Sequence, residues 1–190
     1  MKTAYRYAFL NSSSYSPLVQ TVGSNLWKKL WKINIPSKAK VHGWRVCLDI
    51  LPSLESLESK RVAIENTVCV LCGGLGESTL HLSRDCSFTR SVIQLNPILR
   101  DTCYRWGDIY TTSLDWLVQC AKDLNLVHFG ELIFILWSVW KERNERVWNQ
   151  KNTVALDVNV QLVAWLNGDG KCRKNQELFS LERKCPWTMF

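Results

Sequence analysis

Apolar residues return at the three- and four-residue spacing of a helix face through most of this chain, so the pattern predicts a mostly α-helical protein. Residues 3–10 predict a short helix with Tyr5, Ala8 and Phe9 on one side, and residues 11–25, rich in Ser, Asn, Gly and Pro, read as a connecting loop. Leu26-Trp27-Lys28-Lys29-Leu30-Trp31 then sets two Trp four residues apart among lysines. Pro36 breaks that turn, because the residue before a proline is pushed out of the helical region. Ser37 is expected to cap a helix running to about residue 49. Its apolar positions are Val41, Trp44, Leu48 and Leu51, with Trp44 in the core and Lys38, Lys40 and Arg45 on other faces. Leu51-Pro52-Ser53 should end this helix and cap a short one holding Leu54, Leu57 and Glu58. Three helices are expected further on. Residues 113–122 open with Ser113 as N-cap and Asp115 in the first turn. Residues 129–150 carry Ile133, Leu136, Trp137, Trp140, Val147 and Trp148 on the apolar side, with Glu142 and Arg146 paired on the wet side. Residues 153–167 turn Leu156, Val160, Val163 and Leu166 inward, and Lys171, Arg173 and Lys174 follow in a polar tail.

Composition narrows the class. A chain of 190 residues, 46% hydrophobic and 22% charged, is globular, and its length suits one domain or a small domain with an appendage. Eight cysteines raise the question of a secreted disulfide scaffold. The amino terminus answers against it, since Arg6 interrupts the apolar run and Ser12, Ser13 and Ser14 follow in place of a cleavage site. The longest apolar run, residues 132–140, is far short of a membrane span. Reduced thiols in a nuclear or cytoplasmic compartment are therefore expected. The net charge of +7 favours an acidic partner. Between residues 24 and 62 there are eight Lys or Arg against three acids, and Lys28, Lys29, Lys38, Lys40, Lys60 and Arg61 are the candidates to contact nucleic acid. The plainer reading is that these lysines form a solvated face.

The candidate chemistry sits in residues 69–86. Cys69-x2-Cys72, eight residues, His81, four residues and Cys86 bring four soft or borderline ligands into a span that suits a tetrahedral zinc ion. Gly73 and Gly74 let the chain turn back with positive φ and point backbone N–H groups at the sulfurs. His81 and Cys86 would lie about 140° apart on an ideal helix. His81 is accordingly expected at the start of one helical turn and Cys86 just past its end. Four protein ligands close the shell, which makes such a site structural. A redox pair or ordinary buried thiols remain the alternatives, although no thioredoxin-like βαβ pattern surrounds the motif. Cys103, Cys120, Cys172 and Cys185 have no metal-like spacing, and no internal repeat is present.

These residues together resemble a known family. Trp27-Lys-Lys-Leu-Trp31, Ile35-Pro36-Ser-Lys38-x-Lys40, Trp44-Arg45, Leu51-Pro52-Ser53, Cys69-x2-Cys72-Gly73, Glu77-Ser78-x2-His81-Leu82 and Cys86-x-Phe88-x-Arg90 are similar in order and spacing to the reverse-transcriptase zinc-binding domain of plant non-LTR (LINE-type) retrotransposon polyproteins. Ile135-Leu136-Trp137-Ser-Val-Trp140-Lys-Glu-Arg143-Asn144 resembles the linker that follows it there. His42 stands where an apolar or aromatic residue is expected. The resemblance implies zinc as cofactor, held by Cys69, Cys72, His81 and Cys86. It also implies an N-terminal fragment over 1–25, the zinc-stabilised helical domain over 26–95, and a helical segment with a polar tail over 104–190. The role it implies is an accessory module that binds RNA or DNA with low specificity, or a reverse transcriptase in trans, with no membrane and no small-molecule substrate. Neither a polymerase aspartate pair nor an RNase H acid cluster is found, and His42 and His128 lack an obvious acid partner, so no enzymatic activity is expected. A zinc-pinned protein–protein interaction module and an inactive retroelement remnant are the alternatives.

Overall fold

The computed structural model describes residues 17–149, apart from 106 and 108. The helices expected at 3–10 and 153–167, the tail with Lys171, Arg173 and Lys174, and Cys172 and Cys185 lie outside the described residues. Helices dominate what is described, as the apolar spacing predicts. In chain order they are α1 (Pro17–Lys32), α2 (Ser37–Cys47), α3 (Leu54–Ser59), a π-helical turn (His81–Asp85), α4 (Ser87–Gln94), α5 (Pro97–Cys103), α6 (Ser113–Asp123) and α7 (Leu126–Asn149).

Several boundaries differ from expectation, each for a local reason. Residues 17–25, expected as loop, form the first half of α1. Pro17 occupies the first helical position, where its fixed φ suits the helix and its missing N–H costs nothing. Gly23, Ser24 and Asn25 are poor helix formers. They are carried along by the burial of Leu26, Leu30 and Ile33 down one side, because tertiary packing outweighs propensity. Ser37 is not a cap but the first helical residue of α2. Pro36 takes the cap position, and its carbonyl accepts from the N–H groups of Ala39 (3.0 Å) and Lys40 (3.2 Å). Thr112 likewise replaces Ser113 as the cap of α6, with its Oγ1 accepting from Asp115 N at 3.1 Å. Ser53 caps α3 as expected. Helix α5 was not anticipated, although Asn96-Pro97 spells its start: the Asn96 side chain accepts from Ile98 N and Leu99 N, and Pro97 follows at the first position.

The buried side of α2 is not the Val41–Trp44–Leu48 stripe. Ala39, His42, Gly43, Val46 and Cys47 face inward, Val41 is exposed and Trp44 is half-buried. Gly43 explains the rotation. A Cβ there would stand 3.0 Å from Ile133 Cγ2 and 3.2 Å from Leu30 Cδ1, so the absence of a side chain lets α2 lie close against α7.

Helix α7 is the centre of the protein. From Phe129 to Leu136 it is buried on every side, as expected for a helix that other elements surround. Helices α1, α2, α4 and α5 and the π-helical turn all pack on it. The Glu142–Arg146 pair, expected on the wet side, is largely buried at 2.8 Å, and the Arg146 guanidinium also covers the Phe88 ring. No helix among the described residues is long and apolar enough to cross a membrane.

His42 is buried and stacks on Trp140, with ring centroids 5.9 Å apart, while its ring donates to the Leu136 carbonyl. Burial first, and then the Arg45 charge, pushes its pKa down from 6.5 to about 3. The unfolded chain therefore binds a proton that the folded chain refuses. The stabilisation is fully present above pH 6.5 and is lost as pH falls toward 3, by up to about 1.4 kcal/mol per pH unit. Urea unfolding of the wild type and of His42→Phe between pH 7 and pH 4 should show a shallower pH dependence in the variant; equal slopes would contradict this account.

Candidate metal centre

The four predicted ligands converge. Their donor atoms all lie within 4.8 Å of one another, with Cys69 Sγ 3.9 Å from Cys86 Sγ and Cys72 Sγ 3.3 Å from His81 Nε2. Zinc at bond lengths of about 2.3 Å to sulfur and about 2.0 Å to nitrogen requires tetrahedral edges of about 3.8 Å between sulfurs and about 3.5 Å between sulfur and nitrogen. The Cys69–Cys86 and Cys72–His81 separations are close to these edges.

Two local structures bring the ligands there. The first is the knuckle at residues 69–74, closed by Gly73 N donating to Cys69 O at 2.7 Å and Cys69 N donating to Gly74 O at 2.8 Å. Gly73 has φ +74°, as expected, but the second left-handed residue is Gly76 rather than Gly74. Gly74 contributes closeness instead: a Cβ there would sit 3.3 Å from Cys72 Sγ and 3.6 Å from His81 Cε1. The second is the turn from His81 to Asp85. Cys86 N donates to His81 O at 2.7 Å, an i to i+5 bond that stacks Cys86 over His81. The π turn removes the angular mismatch that a regular helix would leave between these two ligands. Ser78 Oγ accepts from His81 N at 3.0 Å and fixes where the turn begins.

The electrostatics suit thiolate ligands. Backbone N–H groups of Leu71 and Cys72 are directed at Cys69, that of Gly74 at Cys72 (3.4 Å) and that of Thr89 at Cys86. Thr89 lies in the first turn of α4, so the positive end of that helix faces the Cys86 sulfur. The hydrogen bond from Cys69, helped by that from His81, pulls the Cys86 thiol down to about 3, while Cys69 is pushed up. Hydrogen bonding to Cys86 first, and to Cys72 as well, raises His81 to about 9. The cluster thus concentrates negative charge on sulfur beside protons that a divalent cation would displace. Three thiolates and one imidazole would hold zinc with no position left for water or substrate, which makes this a structural site.

A buried ion pair ties the metal loop to α7. Glu77, fully buried between Cys72 and His81 in sequence, accepts from Arg143 Nη2 (2.6 Å) and Nε (3.0 Å) and from Leu54 N (3.1 Å). Its backbone adds bonds to Thr67 and Glu55. Both residues stood in the motifs of the sequence without an assigned role. Arg84, also buried, reaches from the π turn to the Tyr110 carbonyl at 2.6 Å.

The predicted basic residues divide. Lys28, Lys38, Lys60 and Arg61 are exposed. Lys40 is half-buried and its Nζ donates to Trp31 O at 3.1 Å. Lys29 is also half-buried; its Nζ donates to the carbonyls of Ala121 (2.6 Å) and Leu124, where it closes the end of α6. Two contributors were missed. Lys32 is exposed one turn after Lys28, and Lys141 on α7 lies over the Trp137 ring at 4.9 Å, near enough to Lys38 for that charge to help lower its pKa after burial. His128 does have an acid partner, contrary to expectation. Its Nδ1 is 3.0 Å from Glu131 Oε2, which also accepts from Asn96, so the pair joins α7 to the start of α5.

Purified protein should carry one zinc per chain by elemental analysis, and Cys86→Ser should lose it. Because metal binding must displace protons from the ligands, zinc should leave as pH falls, not as it rises. Arg143→Leu strands the Glu77 carboxylate without touching a ligand and should destabilise the fold by about 3–5 kcal/mol in chemical denaturation. A variant as stable as the wild type would show that the pair does not anchor the loop.

No curated protein and no solved structure matches this chain in comparisons with known proteins. A family model does, over the stretch that contains all four ligands: residues 1–92 match the family described as zinc-binding in reverse transcriptase.

Proposed function

We propose that the chain is a nucleic-acid-binding accessory module of a non-LTR retroelement reverse transcriptase, folded around structural zinc and without catalytic activity of its own. The observation that carries the reading is the junction of α1 and α2. The Lys40–Trp31 hydrogen bond brings the end of α1 against the start of α2. Lys28, Trp31 and Lys32 stand at i, i+3 and i+4 on the outer side of α1, and Trp31 is 43% exposed. Lys38, with Lys141 near it on α7, extends the charge. Cations beside an exposed indole suit a flexible single strand, whose phosphates attract lysine and whose bases stack on aromatic rings. Lys60 and Arg61, at the end of α3, are further phosphate-binding groups in this reading. Zinc here holds the shape of the module, so chemistry is left to a polymerase acting beside it.

Replacing Lys28, Lys32 and Lys38 with Glu should remove most binding to single-stranded RNA and flatten the log–log salt dependence by about 0.7 for each phosphate no longer neutralised, with zinc content unchanged. Trp31→Ala should cost about 1–3 kcal/mol on single strands and much less on duplex. If neither RNA nor DNA binds at about 50 mM salt, where attraction to phosphate is strong, the reading fails. The exposed Trp31 would then favour docking of a protein partner. Primed-template and RNA–DNA hybrid assays with magnesium should show no turnover by the chain alone.

A further inference from the structure

Two cysteines without metal-ligand spacing meet in the core. Cys103 is the last residue of α5 and Cys120 lies within α6; both are buried, and their sulfurs are 4.0 Å apart. Among the described cysteines three belong to the metal centre and Cys47 is buried on α2, so these two form a second thiol cluster. We infer that Cys103 and Cys120 are a redox modification site, closing to a reversible disulfide on reaction with a hydroperoxide, with Cys103 attacking and Cys120 resolving.

The geometry favours closure. A disulfide is about 2.05 Å long, so the sulfurs must approach by about 2 Å. Cys120 is held inside a regular helix. Cys103 ends one, and the described residues between it and Ser113 are non-helical, so the end of α5 is less restrained than Cys120. Trp116 Nε1 donates to the Cys103 carbonyl at 3.0 Å and keeps that residue beside α6. The hydrogen bond also sets the roles. Cys120 donates its S–H to Cys103, so its proton is engaged, while the sulfur of Cys103, the more exposed residue of the two at 5% against 2%, is the one placed to attack.

The steps balance. The Cys103 thiolate attacks one peroxide oxygen; the S–O bond forms, the O–O bond breaks, and the alcohol, or water from hydrogen peroxide itself, leaves with a proton. The Cys120 sulfur then attacks the Cys103 sulfenic acid; the S–S bond forms, the S–O bond breaks, and water leaves with the Cys120 proton. Two thiols are oxidised by two electrons in total, and the peroxide is reduced. The bond would pin α5 to α6 across the 104–112 segment, which Arg84 joins to the π turn of the metal centre through Tyr110. The thiol pair does not depend on nucleic-acid binding.

The test treats zinc-loaded full-length protein with one equivalent of hydrogen peroxide, alkylates it and maps unreduced peptides by mass spectrometry. The expected result is a Cys103–Cys120 cross-linked peptide as the main product, reversed by dithiothreitol, with zinc content unchanged. Zinc release with Cys103 and Cys120 still alkylated, or linkage of either to another cysteine, would overturn it. In Cys120→Ala, a 1,3-dione should trap sulfenic acid at Cys103, whereas Cys103→Ala should give no trapping at Cys120; the reverse pattern would overturn the assignment of roles. Should either variant fold poorly, the wild-type peptide map decides alone.

Discussion

A carboxylate with no access to water holds the metal loop against the rest of the protein. Glu77 receives two N–H bonds from Arg143 and one from the start of α3, so a single charged group joins three parts of the chain. Arg143 is 2% exposed and covers the Trp140 ring, and Trp140 stacks on His42 of α2. The order of packing is therefore metal loop, α7, then α2. Burying such a pair carries a large desolvation penalty, and its net contribution against an apolar pair is small. Its importance lies in the asymmetry: with either partner removed, the other is a buried charge without compensation. That cost is a large fraction of a typical domain stability of about 5–15 kcal/mol.

The same constraint explains why a metal loop with little helix of its own can be ordered. Between Lys60 and His81 there is no regular element, and the backbone polar groups must find partners elsewhere. Those of Cys69, Gly73 and Gly74 bond to one another, and those of Glu77 bond to Thr67 and Glu55. N–H groups of Leu71, Cys72 and Gly74 are directed at thiolate sulfur. Zinc would add the remaining restraint by fixing both ends of the segment, the knuckle at one end and the π turn at the other. Thr89 Oγ1, bonded to the Leu82 carbonyl at 2.7 Å, then locks that turn onto α4.

What the sequence disclosed follows how local each signal is. The ligand set was legible because four donors at fixed spacing depend on few residues, and the mismatch between His81 and Cys86 on an α-helix foretold a special turn. The helical class was legible from apolar spacing. The inward face of α2 was not, because it depends on Gly43 meeting Ile133 from a distant helix. Glu77 and Arg143 could be picked out as residues but not joined, since 66 positions separate them. Cys103 and Cys120 had no spacing to draw attention, and only the packing of α5 on α6 brings their sulfurs together.

The lysines show why a charge count overstates a binding surface. Lys28 and Lys29 are neighbours in sequence, yet a helix turns about 100° per residue and sends them to different environments. Lys28 faces water, whereas Lys29 follows the buried side and spends its ammonium on two carbonyls at the end of α6, with the Phe129 ring 5.5 Å away. Lys141, over eighty positions beyond Lys60, comes close to Lys38 because α7 packs along α2. Lys28, Lys32 and Lys38 come to this surface on α1 and α2, and Lys141 reaches it through α7, the helix that Glu77 also grips through Arg143. Loosening the metal loop would then reach the charge at Lys141 first, because that lysine and Arg143 stand on the same helix.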